Sequence, residues 1–230
     1  MQSHEGAVAE LVIYPIKGLG GISQTSVEVC SGAFKHDRNW LLVDQTGEPL
    51  SCKKNPRLND LTLEFDGADN LRLIAPNSST ISVSSANIDE WLLEFLHVRC
   101  SLQKLEPLKG MEQEPVSLIS DETLVTFNDT LSTPYKPSRF RANILVARCS
   151  ALAECRWQRV FLGQVGFISR GDCVRPHLAF NDLPWKRTLS EGQTAFRAKL
   201  NTPSGQIAFG KYLAPLNDGI LSVGDPVNVL

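Results

Sequence analysis

The sequence predicts a mainly β protein with a few helices. Three observations carry that expectation. Short β-type runs recur through the first hundred residues, polar turn signals separate them, and strands do not alternate with long helices. Such a pattern fits a barrel or a sandwich rather than a βαβ sheet. A charged, proline-bounded segment, Lys104–Pro115, marks the link between two halves.

In the first half, Leu11-Val-Ile-Tyr14 reads as a short strand that Pro15 breaks, since proline has no N–H for a ladder. Lys17 follows, ahead of Gly18, Gly20 and Gly21. A backbone so flexible can approach an anion closely, although an ordinary glycine turn beside a solvated lysine is the plainer reading. Ser26–Cys30 alternates like a half-buried strand, and Trp40–Asp44 reads as another before the Gln45-Thr-Gly47 turn. Between them, Arg38 beside Asp37 reads as a surface ion pair of little worth by itself. Strands are expected at 61–65, 71–75 and 80–83, split by Asp-Gly, Asp-Asn and Pro-Asn-Ser turns. Asn87–Leu96 is the first helix. Its Ile88, Trp91, Leu92, Phe95 and Leu96 share one face, and Asn87 with Glu90 supplies the expected cap.

In the second half, Val116–Ile119 reads as a strand and Ser120-Asp-Glu-Thr123 as a helix start, with Leu124, Phe127 and Leu131 at helical spacing. Ser120 is the expected cap, and the same geometry aims backbone N–H groups outward, which favours an anion. Lys136, Arg139, Arg141 and Arg148 then give four cations with no acid between Asp129 and Glu154, ordinarily a solvated face. Arg141 and Asn143 stand two apart just before the apolar run Ile144–Val146. A strand period would put them on one side, as a fork for phosphate and heteroaromatic edges. A helical turn at 150–157, a hairpin over 159–168 around Gly163, a loop over a pocket at Trp185–Arg187, and strands at 195–200, 206–209 and 220–230 complete the chain.

The hairpin delivers Arg170-Gly-Asp-Cys-Val-Arg-Pro-His177. Glycine and proline on either side are expected to hold Cys173 on a loop or strand end, where a ligand reaches it. Arg170, Arg175 or His177 would favour the thiolate, and Asp172 opposes it. A half-buried, inert cysteine is the alternative.

Bulk properties exclude several classes. A formal net charge of -2 argues against unspecific nucleic-acid binding. Six cysteines without a CxxC pair signal neither a zinc knuckle nor a disulfide scaffold, and so favour a reducing compartment. The start of the chain lacks a signal core, and no apolar run approaches the roughly 20 residues of a membrane helix. A soluble, cytoplasmic protein without a membrane partner is expected.

Several short motifs then carry a resemblance that covers nearly the whole chain. Tyr14-Pro-Ile-Lys17, Asp37-Arg38-Asn-Trp40 and Asn55-Pro-Arg-Leu58 resemble the N-terminal β-barrel domain that accompanies MOSC domains. Arg139-Phe-Arg-Ala-Asn143, Leu162-Gly-Gln-Val165, Cys173 and Val223–Val229 resemble the MOSC domain itself, as in molybdenum cofactor sulfurases and amidoxime-reducing components. The resemblance implies two β-barrel-like domains, residues 8–105 and 106–230, with the molybdopterin form of the molybdenum cofactor held between them. It carries over Lys17, Arg38, Ser120, Arg141 and Asn143 as cofactor-binding residues. Cys173 becomes the metal ligand and catalytic residue. A soft thiolate suits molybdenum, and the metal's charge would deprotonate the thiol despite Asp172. The family's usual Pro-Cys-x-Arg-Cys ends here as Arg170-Gly-Asp-Cys173.

The implied activity is reduction of N-hydroxylated small molecules, independent of pyridoxal phosphate. Electrons would come from a separate ferredoxin- or flavoprotein-type donor, because no iron–sulfur cysteine cluster follows. Two alternatives stay open: a sulfur or cofactor carrier with a persulfide on Cys173, and a two-barrel binding module without catalysis.

Overall fold

The structure, a computed structural model, describes residues 3–67, 69–106, 108–111, 114–131, 134–175 and 207–230. The expected strand at 195–200, the Trp185–Arg187 loop and His177 lie outside these residues. Contacts divide the chain into two compact units: residues 1–12, 24–35 and 113–230 in one, 13–23 and 36–112 in the other.

The first unit is built on a closed barrel. Around it run Ser3–Ile13, Ile144–Ala147, Val116–Ser120, Ile207–Pro215, Val165–Arg175, Arg159–Leu162 and Pro226–Val229, which pairs back onto Ser3–Ile13. Closure leaves no unpaired sheet edge among these strands. Val116–Ser120 and Ile144–Ala147 are parallel neighbours, so a crossover must join them, and the helix Asp121–Leu131 forms part of it. That helix buries Leu124 and Phe127 against Ile119, Tyr135, Phe140 and Phe209. Phe140 and Phe209 stack at 4.4 Å between ring centroids. Smaller strands Gly219–Ser222, Ser26–Cys30 and Ala33–Phe34 form a separate sheet.

The first strand runs much further than the expected 11–14. Its opening, Ser3-His-Glu-Gly-Ala-Val-Ala, is poor in β-branched residues and reads as no strand by propensity. Tertiary pairing decides instead, because the ladder to Ala147, Val146, Leu145 and Ile144 starts at Ala7, with a register shift between Val8 and Glu10. The strand expected at 206–209 likewise continues to Pro215.

The second unit carries two three-stranded sheets. One joins Cys100–Lys104, Trp40–Asp44 and Ile16–Lys17; the other joins Thr62–Asp66, Asn70–Ile74 and Thr80–Ser82. Strand alternation turns Leu71, Leu73 and Ile81 inward, where they meet Ile88, Leu92 and Leu96 of the helix Ile88–Leu96. The expected Asn87 cap is absent, since its side chain makes no capping bond and its Oδ1 instead accepts from Ser85 Oγ at 2.5 Å.

Backbone proximity in the barrel makes one glycine indispensable. Gly210 has φ +90°, and a Cβ there would stand 2.3 Å from Leu118 O and 2.6 Å from Ile119 Cγ2. Gly210→Ala should therefore destabilise by about 1–3 kcal/mol, the usual cost of such strain, read as a lower urea midpoint. Gly20→Ala, with nothing within 4 Å of the added atom, is the matched control and should stay near wild type.

Candidate functional site

Of the two expected placements, loop or strand end, the structure gives the second: Cys173 lies two residues before the end of the strand Val165–Arg175. The glycine that argued for a loop is accommodated in another way. Gly171 takes φ +118°, and the pairing with Ile207–Pro215 shifts register between Ser169 and Gly171 and again between Asp172 and Val174. The first shift spends an extra residue on the cysteine's own strand; at the second the extra residue is on the partner, where Phe209 and Gly210 stand against Cys173. Cys173 is 0% exposed while Arg170, Gly171 and Asp172 are exposed.

The adjacent carboxylate is neutralised across the ladder. Asp172 pairs in register with Lys211, and Lys211 Nζ lies 2.7 Å from Asp172 Oδ1. Lys211 is buried, so solvent screens this pair less than an exposed one. Sequence reading missed it. Period two carries no clear signal for it, because the register shift at 209–210 separates Phe209, which packs with Ile119, from the face that Lys211 shares with Leu118 and Leu213.

Ser120 caps the helix Asp121–Leu131 as expected: its buried Oγ accepts from the Thr123 N–H at 3.3 Å. The hydroxyl also donates to Glu122 Oε2 at 3.2 Å and lies 3.2 Å from Cys149 Sγ. Burial pushes the Glu122 carboxyl up, but hydrogen bonds from its own N–H, Arg148 N–H, Cys149 and Ser120 together leave it below the ordinary value. Burial, with the Glu122 charge beside it, drives the Cys149 thiol up to about 12, so this thiol stays protonated. Cys155 is pushed up to about 11, again chiefly by burial and then by Glu154.

Glu154, also missed in the sequence, is 0% exposed. Thr123 Oγ1 donates to its Oε2 at 2.9 Å, and Oε1 has no hydrogen-bond partner among the described residues. Burial raises its pKa, while hydrogen bonds from Thr123 and from the Glu154 and Ser120 backbones pull the other way.

Pairing registers locate these groups along the barrel. Leu118 faces Lys211, and Lys211 faces Asp172. Ser120 and Cys173 thus stand near the same level on strands separated by Ile207–Pro215, a spacing of roughly 10 Å from two interstrand distances. Asn143 lies at the level of Ser117, towards the other end. Its Oδ1 accepts from Ser117 N–H at 3.2 Å and Ser117 Oγ at 3.3 Å, and its Nδ2 donates to Val12 O at 3.1 Å.

Arg141 departs from the expectation that strand alternation aligns it with Asn143. It precedes the strand Ile144–Ala147 and closes the turn Pro137–Phe140 in the left-handed region, at φ 49°. The two-residue spacing therefore says nothing about a shared face.

Lys17 and Arg38 belong to the second unit. Segments 14–17 and 38–41 run side by side: Ile16 pairs with Trp40, Lys17 with Leu41, and Arg38 N–H donates to Tyr14 O at 2.8 Å. The Asp37–Arg38 pair is not the surface pair expected. Asp37 is 1% exposed, accepts the Tyr14 N–H at 2.6 Å and bonds the Arg38 guanidinium, which sits 5.2 Å from the Tyr14 ring centroid.

As a donor set these residues divide by chemistry. Cys173 offers a soft sulfur not committed to a disulfide, and Lys17, Arg38 and Arg141 bring positive charge suited to an anionic group. Ser120 and Asn143 spend the hydrogen bonds described on the barrel itself. Among the described residues no group of three or more His, Cys, Asp or Glu side chains forms a metal cluster, so a metal here would rest on the thiolate and on ligands it carries. No helix among them is long and apolar enough to cross a membrane.

Comparison with known proteins matches residues 5–109 to the MOSC N-terminal beta barrel domain and residues 106–228 to the MOSC domain. Mitochondrial amidoxime-reducing component 1 of Mus musculus is 27% identical, covering 98% of this chain and 82% of that protein. Its Homo sapiens counterpart is 25% identical, covering 98% and 83%. Molybdenum cofactor sulfurase of Danio rerio is 23% identical, covering 90% of this chain but 32% of that longer protein.

The buried acid makes stability depend on pH in a definite direction. With its folded pKa raised, Glu154 holds its proton where the unfolded chain has lost it, so its contribution falls as pH rises above the unfolded value, near 4.3, and levels off above the folded one. Glu154→Gln should remove that slope. Urea midpoints of both proteins across pH 4 to 8 (roughly that range brackets the transition) should show the variant gaining on wild type as pH rises.

Proposed function

Since this chain belongs to the MOSC family and carries the MOSC N-terminal barrel ahead of the MOSC domain, we propose that it is a molybdenum-cofactor enzyme that reduces N-hydroxylated compounds. The observation that carries this reading is Cys173, a fully buried sulfur on a barrel strand, in a chain that aligns almost end to end with amidoxime-reducing components. The sequence segments 8–105 and 106–230 are read as the two inherited modules. The cytoplasm is the proposed compartment; the mouse and human relatives are named mitochondrial.

In this reading Cys173 Sγ, as thiolate, binds the metal of the molybdopterin cofactor. Lys17, Arg38 and Arg141 hold the cofactor's anionic groups by charge and directed N–H donors. Ser120 and Asn143 are kept as cofactor-binding residues, acting largely through the strand ends they hold in place. Lys211 neutralises Asp172, so the thiolate does not form beside an uncompensated carboxylate. Burial of the sulfur excludes water from its surroundings, which strengthens each nearby charge interaction. The cofactor, when bound, supplies the two-electron chemistry that breaks the N–O bond. Overall, an N-hydroxylated substrate, two electrons and two protons give the reduced nitrogen and water; the electrons come from a separate ferredoxin- or flavoprotein-type donor.

A second reading is favoured by the match to the molybdenum cofactor sulfurase: Cys173 carries sulfur as a persulfide, or holds the cofactor for delivery. One experiment separates the two. Protein purified from a cofactor-producing host should contain molybdenum and pterin, and should reduce benzamidoxime with reduced methyl viologen as donor. Cys173→Ala should lose most of the molybdenum and the turnover. Cyanide-labile sulfur on Cys173 without turnover supports the carrier. Absence of molybdenum and pterin from wild type, unchanged by Cys173→Ala, would sink the enzyme reading, and absence of cyanide-labile sulfur as well would sink the carrier.

A further inference from the structure

We propose that Glu154 is a positioning residue that clamps Ser120 and the first turn of the helix Asp121–Leu131 into the geometry the cofactor site uses. This rests on the reading of Ser120 as a cofactor-binding residue, but its geometric half stands alone.

Three elements meet around this carboxyl group. Glu154 belongs to the short turn Ala153–Arg156 and has no solvent exposure. Its Oε2 accepts from Thr123 Oγ1 at 2.9 Å. Thr123 Oγ1 in turn accepts from Leu152 N–H at 2.7 Å, and Thr123 N–H donates to Ser120 Oγ at 3.3 Å. The bonds form a chain from Glu154 to Thr123 and from Thr123 to Ser120. It ties the end of the strand Val116–Ser120, the start of the helix and the Leu152 turn to one side chain.

A helix start without such help has up to four unpaired N–H groups and frays readily. Ser120 satisfies one of them. Glu154 fixes the Thr123 hydroxyl, and through Thr123 the N–H that Ser120 Oγ accepts, so a shift of the first turn would break the bonds at both ends of the chain. Only one carboxyl oxygen bonds Thr123, and Oε1 is unpartnered among the described residues. Burying an unsatisfied polar atom is costly, and packing alone gives no reason to retain it. A constraint on the neighbouring Thr123 and Ser120 supplies that reason. Glutamine preserves the acceptor that Thr123 uses and adds no bulk, so it should preserve the clamp; alanine removes it.

The test uses the full chain with Glu154→Ala, Glu154→Gln and Thr123→Val. Amide hydrogen exchange of Ser120 and Thr123, read by NMR on protein produced without cofactor, reports the clamp directly. Pterin content after production in a cofactor-competent host reports its consequence. We expect Glu154→Ala to speed exchange at both amides at least tenfold and to lose most of the pterin. Glu154→Gln should hold both near wild type, and Thr123→Val should fall between. Should Glu154→Ala not fold, the glutamine and valine variants still decide. Unchanged exchange in Thr123→Val, or a glutamine variant as impaired as alanine, overturns the proposal. If wild type itself holds no pterin, the cofactor reading fails, and the exchange measurements alone decide whether the clamp exists.

Discussion

Closure of the barrel depends on how the strand Ser3–Ile13 meets a strand that lies more than a hundred residues later, and Asn143 is the side chain through which that seam is keyed. A seam of this kind joins segments far apart in sequence, so its loop-closure cost must be offset by contacts made nowhere else. Asn143 makes them in both directions. Its backbone bonds Ser117 O at 2.9 Å and accepts Val12 N–H at 2.8 Å, while its amide repeats the pattern with Ser117 N–H and Val12 O. An aspartate could offer the acceptor but not the donor, and a leucine neither. Register follows from this, and with it the inward or outward direction of every later residue on three strands.

Much of the fold was legible because its signals are local. The runs at 26–30, 40–44 and 116–119, the helix at 87–96 and the hairpin turning at Gly163 follow from alternation, helical spacing and turn residues, and the structure matches each to within a residue or so. The first strand was cut short in the reading because Gly6, Ala7 and Ala9 have little strand preference; Gly6 is there because a Cβ would stand 2.4 Å from Ala147 O. That requirement comes from a neighbour far along the chain, which no window of sequence contains. The same holds for Cys100–Lys104, a polar-ended strand recruited by Trp40–Asp44, of which the sequence assigns only Lys104, and that to the link.

Of the candidate site, the identities were legible and the geometry was not. Ser120 as a cap and Cys173 as the singular thiol could be named from flanking residues. Arg141 could not be oriented, because a left-handed residue after a proline-initiated turn interrupts the alternation on which the argument relied. Glu154 had no signal at all. It sits in a short turn with a free cysteine on one side and an alanine on the other, and its importance arises from burial against Thr123, which lies 31 positions earlier.

Beside Cys173 an acidic residue is balanced by a base on the neighbouring strand. Asp172 stands directly before the sulfur, and a carboxylate there by itself disfavours ionisation of a thiol. Strand alternation points the two side chains to opposite faces although they are adjacent in sequence. Lys211, in register opposite Asp172, supplies the compensating cation across the ladder. Half of Asp172 remains in water while Lys211 is enclosed, so the lysine depends on the aspartate more than the reverse: without it, a buried ammonium would be left uncompensated. The charge balance at the thiol is thus a property of two neighbouring strands, and Gly210, which lets the lysine's strand approach Leu118 so closely, is part of the same device.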